Sequence, residues 1–311
     1  MFLREYAPMN AAGLFDRVFD VYQKSFWKQL AFSAIIGAVS FAFIFAAMIV
    51  MAVAVTLFSV NNSEMNFIFV FFVLLSAVLP LYIIWVAAAD AGHIILSKQA
   101  FYGGRISFPF KELPGAALRT VTAIIMQFIL SLPWFALIVF FIYLLIGGIS
   151  GSDPMFFYWL IEYISSGWFV FLAFAATLGY LVYSNLFALA VPVAVFERKY
   201  FFSAIKKSFL LIKNEFWKVL GIRFLWTVVV YIFSYSAQGL WAAVMGVVSY
   251  GNSSSGISVA LIMSGTLFQY MVTMFISFLV GPLGGIFTAL LYFNQKIKRE
   301  GLDIEIGIER L

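Results

Sequence analysis

Asp90 and His93 stand three residues apart, so on a continuing helix they share a face. A carboxylate beside an imidazole is the minimum equipment for relaying a proton or holding a cation near a membrane core. The same spacing beside Gly92 and ahead of Lys98 also suits an ordinary polar pair at the end of a span. That is the simpler account, because the cost of a charge falls away toward the membrane surface. Four amides, Gln127, Asn185, Gln238 and Gln269, lie deeper within apolar runs. They suit either the lining of a substrate path or hydrogen bonds between helices, each worth about 1 kcal/mol.

Other chemistry has little to work with. The chain has no cysteine and a single histidine, which removes thiol nucleophiles, thiolate metal sites and multi-histidine zinc sites together. Gly103-Gly104-Arg105 lacks the strand and helix around it that a phosphate loop needs. The expectation is a protein that is not an enzyme and carries no cofactor or metal. A cluster of Arg198, Lys199, Lys206, Lys207, Lys213 and Lys218, interleaved with Phe201, Phe202, Ile205, Phe209 and Ile212, suits contact with anionic lipid headgroups. Topology enforcement alone also explains so much charge. A helix committed to the membrane surface cannot follow a phosphate backbone, so no nucleic-acid partner is expected.

The elements that must position these residues are set by apolar content. Of 311 residues 64% are hydrophobic and 11% charged, whereas a soluble domain is nearer half and a quarter. Six apolar runs, at about 30–60, 67–89, 120–146, 168–196, 219–248 and 257–293, each exceed the roughly 20 residues that cross a hydrocarbon layer. The expected fold is all-α, a polytopic membrane helical bundle forming one domain over 1–311, with a tail at 294–311. The Gly281-Pro282-Leu283-Gly284-Gly285 stretch suits either a break that divides the last span in two or a continuous span, and its glycines also suit close helix packing.

All 19 Lys and Arg fall on one side of this alternation: the first 28 residues, the second and fourth connections and the C-terminal segment. The other connections have none. By the positive-inside bias both termini are cytoplasmic and the number of spans is even. No cleavable leader is expected, since the first apolar run is far longer than a signal h-region.

Two amphipathic interfacial helices are expected on the cytoplasmic side, at 10–28 and 200–218. In the first, Leu14, Phe15, Val18, Phe19, Tyr22 and Phe26 recur at helical spacing after Asn10 as N-cap. The arrangement returns 190 positions later, where Phe26-Trp27-Lys28 corresponds to Phe216-Trp217-Lys218. Trp27, Lys28, Trp217 and Lys218 suit the headgroup level, each joining an apolar body to a polar end. The two units point the same way and so do not form the inverted repeat common in transporters.

Three stretches, PMNAAGLFDRVFDVYQKSFWKQL, VPVAVFERKYFFSAIKKSFLLIKNEFWKVLGI and LLYFNQKIKREGLDIEIGIERL, together resemble the bacterial and archaeal family named for the membrane domain of glycerophosphoryl diester phosphodiesterase. The resemblance implies a stand-alone membrane domain in the cell membrane. The family's catalytic barrel resembles paired His-Arg motifs with metal-binding carboxylates, and this chain has neither those motifs nor a soluble segment to hold them. The functional expectation is a membrane-homeostasis, scaffold or accessory component contacting lipids and, in that role, a protein partner. The first alternative is a permease for a lipid or small hydrophobic molecule, with a cleft lined by Asn185, Gln127 and the Gly-Pro segment. The second is an intramembrane enzyme acting on lipids through Asp90 and His93.

Overall fold

The structure, a computed structural model, describes residues 8–59, 64–149, 167–251 and 259–301; side chains over most of 54–79, 137–170 and 244–272 lie outside that description. The elements in chain order are α1 (Ala11–Ser59), α2 (Glu64–Phe101), α3 (Leu113–Ile149), α4 (Gly167–Asn185), α5 (Ala190–Phe196), α6 (Phe201–Ile212), α7 (Phe216–Gly251) and α8 (Val259–Glu300). No strand occurs among the described residues. Six segments are long and apolar enough to cross a bilayer, in α1, α2, α3, the α4–α5 pair, α7 and α8. This is an all-α, multi-pass membrane architecture, in which helices satisfy their own backbone groups where no water can.

The first helix differs from expectation. Asn10 caps it as foreseen, its Oδ1 accepting from the Gly13 N–H at 2.8 Å. No joint follows Lys28, however, and α1 runs unbroken to Ser59. The sequence between Gly13 and Gly37 offers no glycine or proline to end it. Ser25 returns its hydroxyl to the Val21 carbonyl at 2.7 Å, a bond that bends a helix without stopping it. The inner side of this segment, Leu14, Val18 and Val21, is buried against the protein.

The second expected interfacial helix is shorter than 200–218. It closes at Ile212, a turn occupies 213–215, and Phe216-Trp217-Lys218 opens α7. Glu215 makes the joint, its N–H bonding the Ile212 carbonyl and its own carbonyl accepting from Val219 N–H, both at 2.9 Å. On α6, Ala204, Ile205, Ser208, Leu211 and Ile212 are buried, while Phe201, Phe202, Phe209 and Leu210 are exposed.

The last span is continuous and the fourth is the one that breaks. α8 passes through Pro282 without interruption. Proline removes one backbone bond there, and the buried row Ile286, Phe287, Leu290 and Leu291 holds the helix in place. It runs past 293 to Glu300 and ends at Gly301, which takes φ 65° and returns its N–H to Ile297. The expected tail at 294–311 therefore begins as helix.

In the fourth span, Pro192 lacks an N–H for the Ala188 carbonyl, and its ring would crowd that carbonyl in a continuous helix. The chain unwinds at 186–189 into tight i to i−3 turns. Gln127 Nε2 donates to the Phe187 carbonyl at 2.7 Å, and Ser208 Oγ bridges the Leu186 carbonyl and the Leu189 N–H, each at 3.1 Å.

The core lies toward the lysine- and arginine-rich end. Around α8, Phe293 stacks between Phe101 and Phe196, each with centroids 4.9 Å away, and Phe287 stacks on Trp226 at 4.7 Å. The glycines of α8 divide in role. A Cβ on Gly285 would lie 2.7 Å from the His93 Cβ, so Gly285 permits the close approach of α2. A Cβ on Gly281 or Gly284 would meet nothing within 4 Å, which corrects the packing role expected for them.

Two carboxylates tie the basic end together. Glu215 accepts from Lys298 at 2.9 Å, and Glu197 pairs with Lys199 at 2.7 Å and accepts from Tyr292 at 2.8 Å. Burial raises both carboxyls, but hydrogen bonds and charges outweigh it. Lys298, Gln295 and Lys218 hold Glu215, and Lys199, Tyr292 and Lys207 hold Glu197, below the ordinary 4.5. A carboxyl depressed on folding stabilises the fold above its unfolded value and loses that contribution as pH falls through the folded value. The melting temperature in detergent should therefore be flat from pH 7 to about 5 and fall below about 4.5. Glu215→Gln should lose about 1–2 kcal/mol at pH 7 and show a shallower acid limb. An unchanged acid limb would remove Glu215 from this account.

Candidate functional site

A cavity of about 400 Å³ opens between α2, α3, α4, α5, α7 and α8. It contains one carboxylate, Asp90, and one guanidinium, Arg223. Asp90 lies three turns from the end of α2 and is open to the cavity. Arg223 lies two turns, about 10 Å, along α7 from its first residue. Arg223 Nη1 donates to Asn185 Oδ1 at 3.0 Å, and Asn185 is fully buried at the end of α4, where the span unwinds. The α4 break thus places an amide oxygen, rather than another helical turn, behind the arginine.

Asp90 makes no hydrogen bond or ion pair with any described residue, and no N–O approach within 4.0 Å joins it to Arg223. The remaining polar lining is mostly committed to the backbone. Gln127 donates to Phe187, Ser131 to Phe128, Tyr183 to Leu130, Ser184 to Leu181 and Thr288 to Gly284, in each case to a carbonyl. Tyr180 adds a hydroxyl without such a partner among the described residues.

Gly284 also borders a second, more apolar groove of about 400 Å³ between α7 and α8. Trp226, Val230, Tyr231 and Val280 line it together with Gln238 and Gly281.

The structure separates residues that sequence spacing grouped. His93 does not line the Asp90 cavity and instead meets α1. Its Nδ1 meets Gln29 Oε1 at 2.7 Å, its Nε2 meets Ser33 Oγ at 3.5 Å, and Phe32 stands edge-on at 5.2 Å. No hydrogen bond joins it to Asp90. Asn185 stands behind the cavity lining rather than in it, Gln127 lines the cavity, and Gln238 belongs to the neighbouring groove. The side chain of Gln269 lies outside the described residues. No group of three or more metal-ligating side chains occurs among the described residues.

The basic cluster is half neutralised from within. Lys199 pairs with Glu197, Lys207 with Glu300, and Lys218 approaches Glu215 at 4.0 Å. Arg198, Lys206 and Lys213 are exposed, without an ion pair among the described residues. The two Phe-Trp-Lys copies keep one local form: Trp27 and Trp217 are 76% and 75% exposed, each set edge-on to its preceding phenylalanine at 5.2 and 5.3 Å. Lys28 lies over the Phe108 ring at 4.7 Å.

Arg223 is the residue that sequence reasoning passed over, by counting it with the topology charges. The available signal was its depth, since an arginine two turns inside an apolar segment is costly unless it is used. Comparison with family models, with curated proteins and with solved structures gives no match for the chain.

Proposed function

We propose that this chain is a permease-like, lipid-handling membrane protein that holds the polar head of a membrane amphiphile in the Asp90–Arg223 cavity and makes or breaks no bond. The carrying observation is the pairing of that charged cavity with an apolar groove through Gly284. A purely structural bundle gains nothing from two bare glycines facing open space, since alanine would strengthen the helix by about 0.5–1 kcal/mol each. The enzyme alternative loses its acid-base pair, because His93 is engaged with Gln29 and Ser33.

The one-sided distribution of Lys and Arg supports a cytoplasmic basic end, and with that orientation the cavity would open toward the cytoplasmic leaflet. Exposed Trp27 and Trp217 suit the headgroup level on that side, with Arg198, Lys206 and Lys213 free to meet anionic lipid. The three quoted sequence stretches support placement in the glycerophosphoryl diester phosphodiesterase membrane-domain family.

The test is native mass spectrometry after exchange from nanodiscs into mild detergent. Wild-type protein should retain one phospholipid, and Gly284→Leu, whose Cβ meets nothing within 4 Å, should lose it with a melting temperature no lower than that of wild type. Equal retention by both proteins would sink the proposal.

A further inference from the structure

We propose that the amphiphile is a phospholipid with a primary ammonium in its headgroup, of the ethanolamine type. Its phosphate would sit on Arg223, its ammonium on Asp90, and one acyl chain in the α7–α8 groove. This rests on the preceding proposal that a lipid occupies the cavity, and it adds which headgroup is chosen.

The choice follows from what the cavity leaves unused. Five lining donors are already given to backbone carbonyls. What remains is the neutral Tyr180 hydroxyl, a carboxylate with no partner among the described residues and a guanidinium whose only hydrogen bond to a described residue goes to Asn185, so the two charges are what can choose a headgroup. A guanidinium carries five N–H donors and matches a phosphate's oxygens, so the arginine selects the phosphodiester. The two side chains share one cavity without bridging each other, so a ligand satisfying both must carry opposite charges set apart. A primary ammonium offers three donors to Asp90. A trimethylammonium offers none, a glycerol headgroup leaves the carboxylate uncompensated, and a serine headgroup brings a second carboxylate against it. Gly284 lines both spaces and carries no side chain, so a ligand reaching from one to the other would cross bare backbone there.

The test is a lipid competition read by native mass spectrometry at pH 7.5. Phosphatidylethanolamine, phosphatidylglycerol and phosphatidylcholine with identical chains are supplied together in equal amounts. Wild-type protein should retain the ethanolamine lipid about tenfold over each of the others, the value of one charge-assisted hydrogen bond. Asp90→Asn should still retain lipid but show no headgroup preference. The readout is a ratio among lipids on folded protein, so partial loss of folded material does not move it.

Equal retention of the three lipids by wild type, or an ethanolamine preference that survives Asp90→Asn, would overturn the headgroup assignment. Either result leaves lipid retention and its loss in Gly284→Leu standing, so the two proposals fail separately. Displacement of the lipid by an equal concentration of soluble glycerophosphoethanolamine would overturn the lipid assignment in favour of a soluble zwitterion.

Discussion

Arg223→Gln is expected to reduce phospholipid retention by about 10- to 100-fold, the largest functional effect expected from removing a side-chain charge in this chain. Glutamine keeps an amide donor for Asn185 but removes the charge and the forked donors available to a phosphate. The loss should extend to every headgroup tested, because the phosphodiester is common to all of them. That separates it from Asp90→Asn, where only discrimination is lost. Arg223→Lys should recover part of the affinity, since it restores the charge without the fork. Retention by Arg223→Gln equal to wild type would show that the arginine does not meet the ligand.

A large loss of stability is expected from Gly92→Ala. The added methyl would fall within the ring of Phe32, which is fully buried and stands edge-on to His93. Phe32 is fully buried, so relieving the overlap displaces its ring against the packed neighbours or moves α1 and α2 apart, costing about 1–3 kcal/mol. Thermal unfolding in detergent should show a clear fall for Gly92→Ala beside a small rise for Gly284→Ala, whose methyl meets nothing. Two glycine-to-alanine changes with opposite signs form an internal control. Equal shifts would contradict the division between packing glycines and cavity glycines.

The span pattern was legible because apolar run length and the segregation of Lys and Arg are properties of the chain alone. The break was not. Pro282 with its three neighbouring glycines is the stronger local signal, yet α8 continues through it, while Pro192 stands in a span that unwinds. What decides between them is the neighbour. Gln127 and Ser208 are in place to serve the freed groups near Pro192, and they lie 60 and 19 residues from the groups they serve. The cavity was legible in half: Asp90 and Gln127 were singled out, and Gln127 does line it. Arg223 was hidden because a basic residue near a span's end serves topology as readily as a ligand. Asp90 and His93 were grouped by helical spacing, which fixes angular proximity on one helix but not what packs on either side.

The same unwound turn bears on the order in which the protein can be assembled. Its carbonyls and N–H are answered from α3, made earlier, and from α6, made later. In hydrocarbon an unanswered backbone group costs several kcal/mol, so the fourth span is a poor independent inserter at the moment it leaves the ribosome. It reaches a settled state only when Ser208 has been synthesised and folded back against Leu186 and Leu189. Insertion of this chain is thus expected to be coupled across elements, with the fourth span settling only once later sequence has been made.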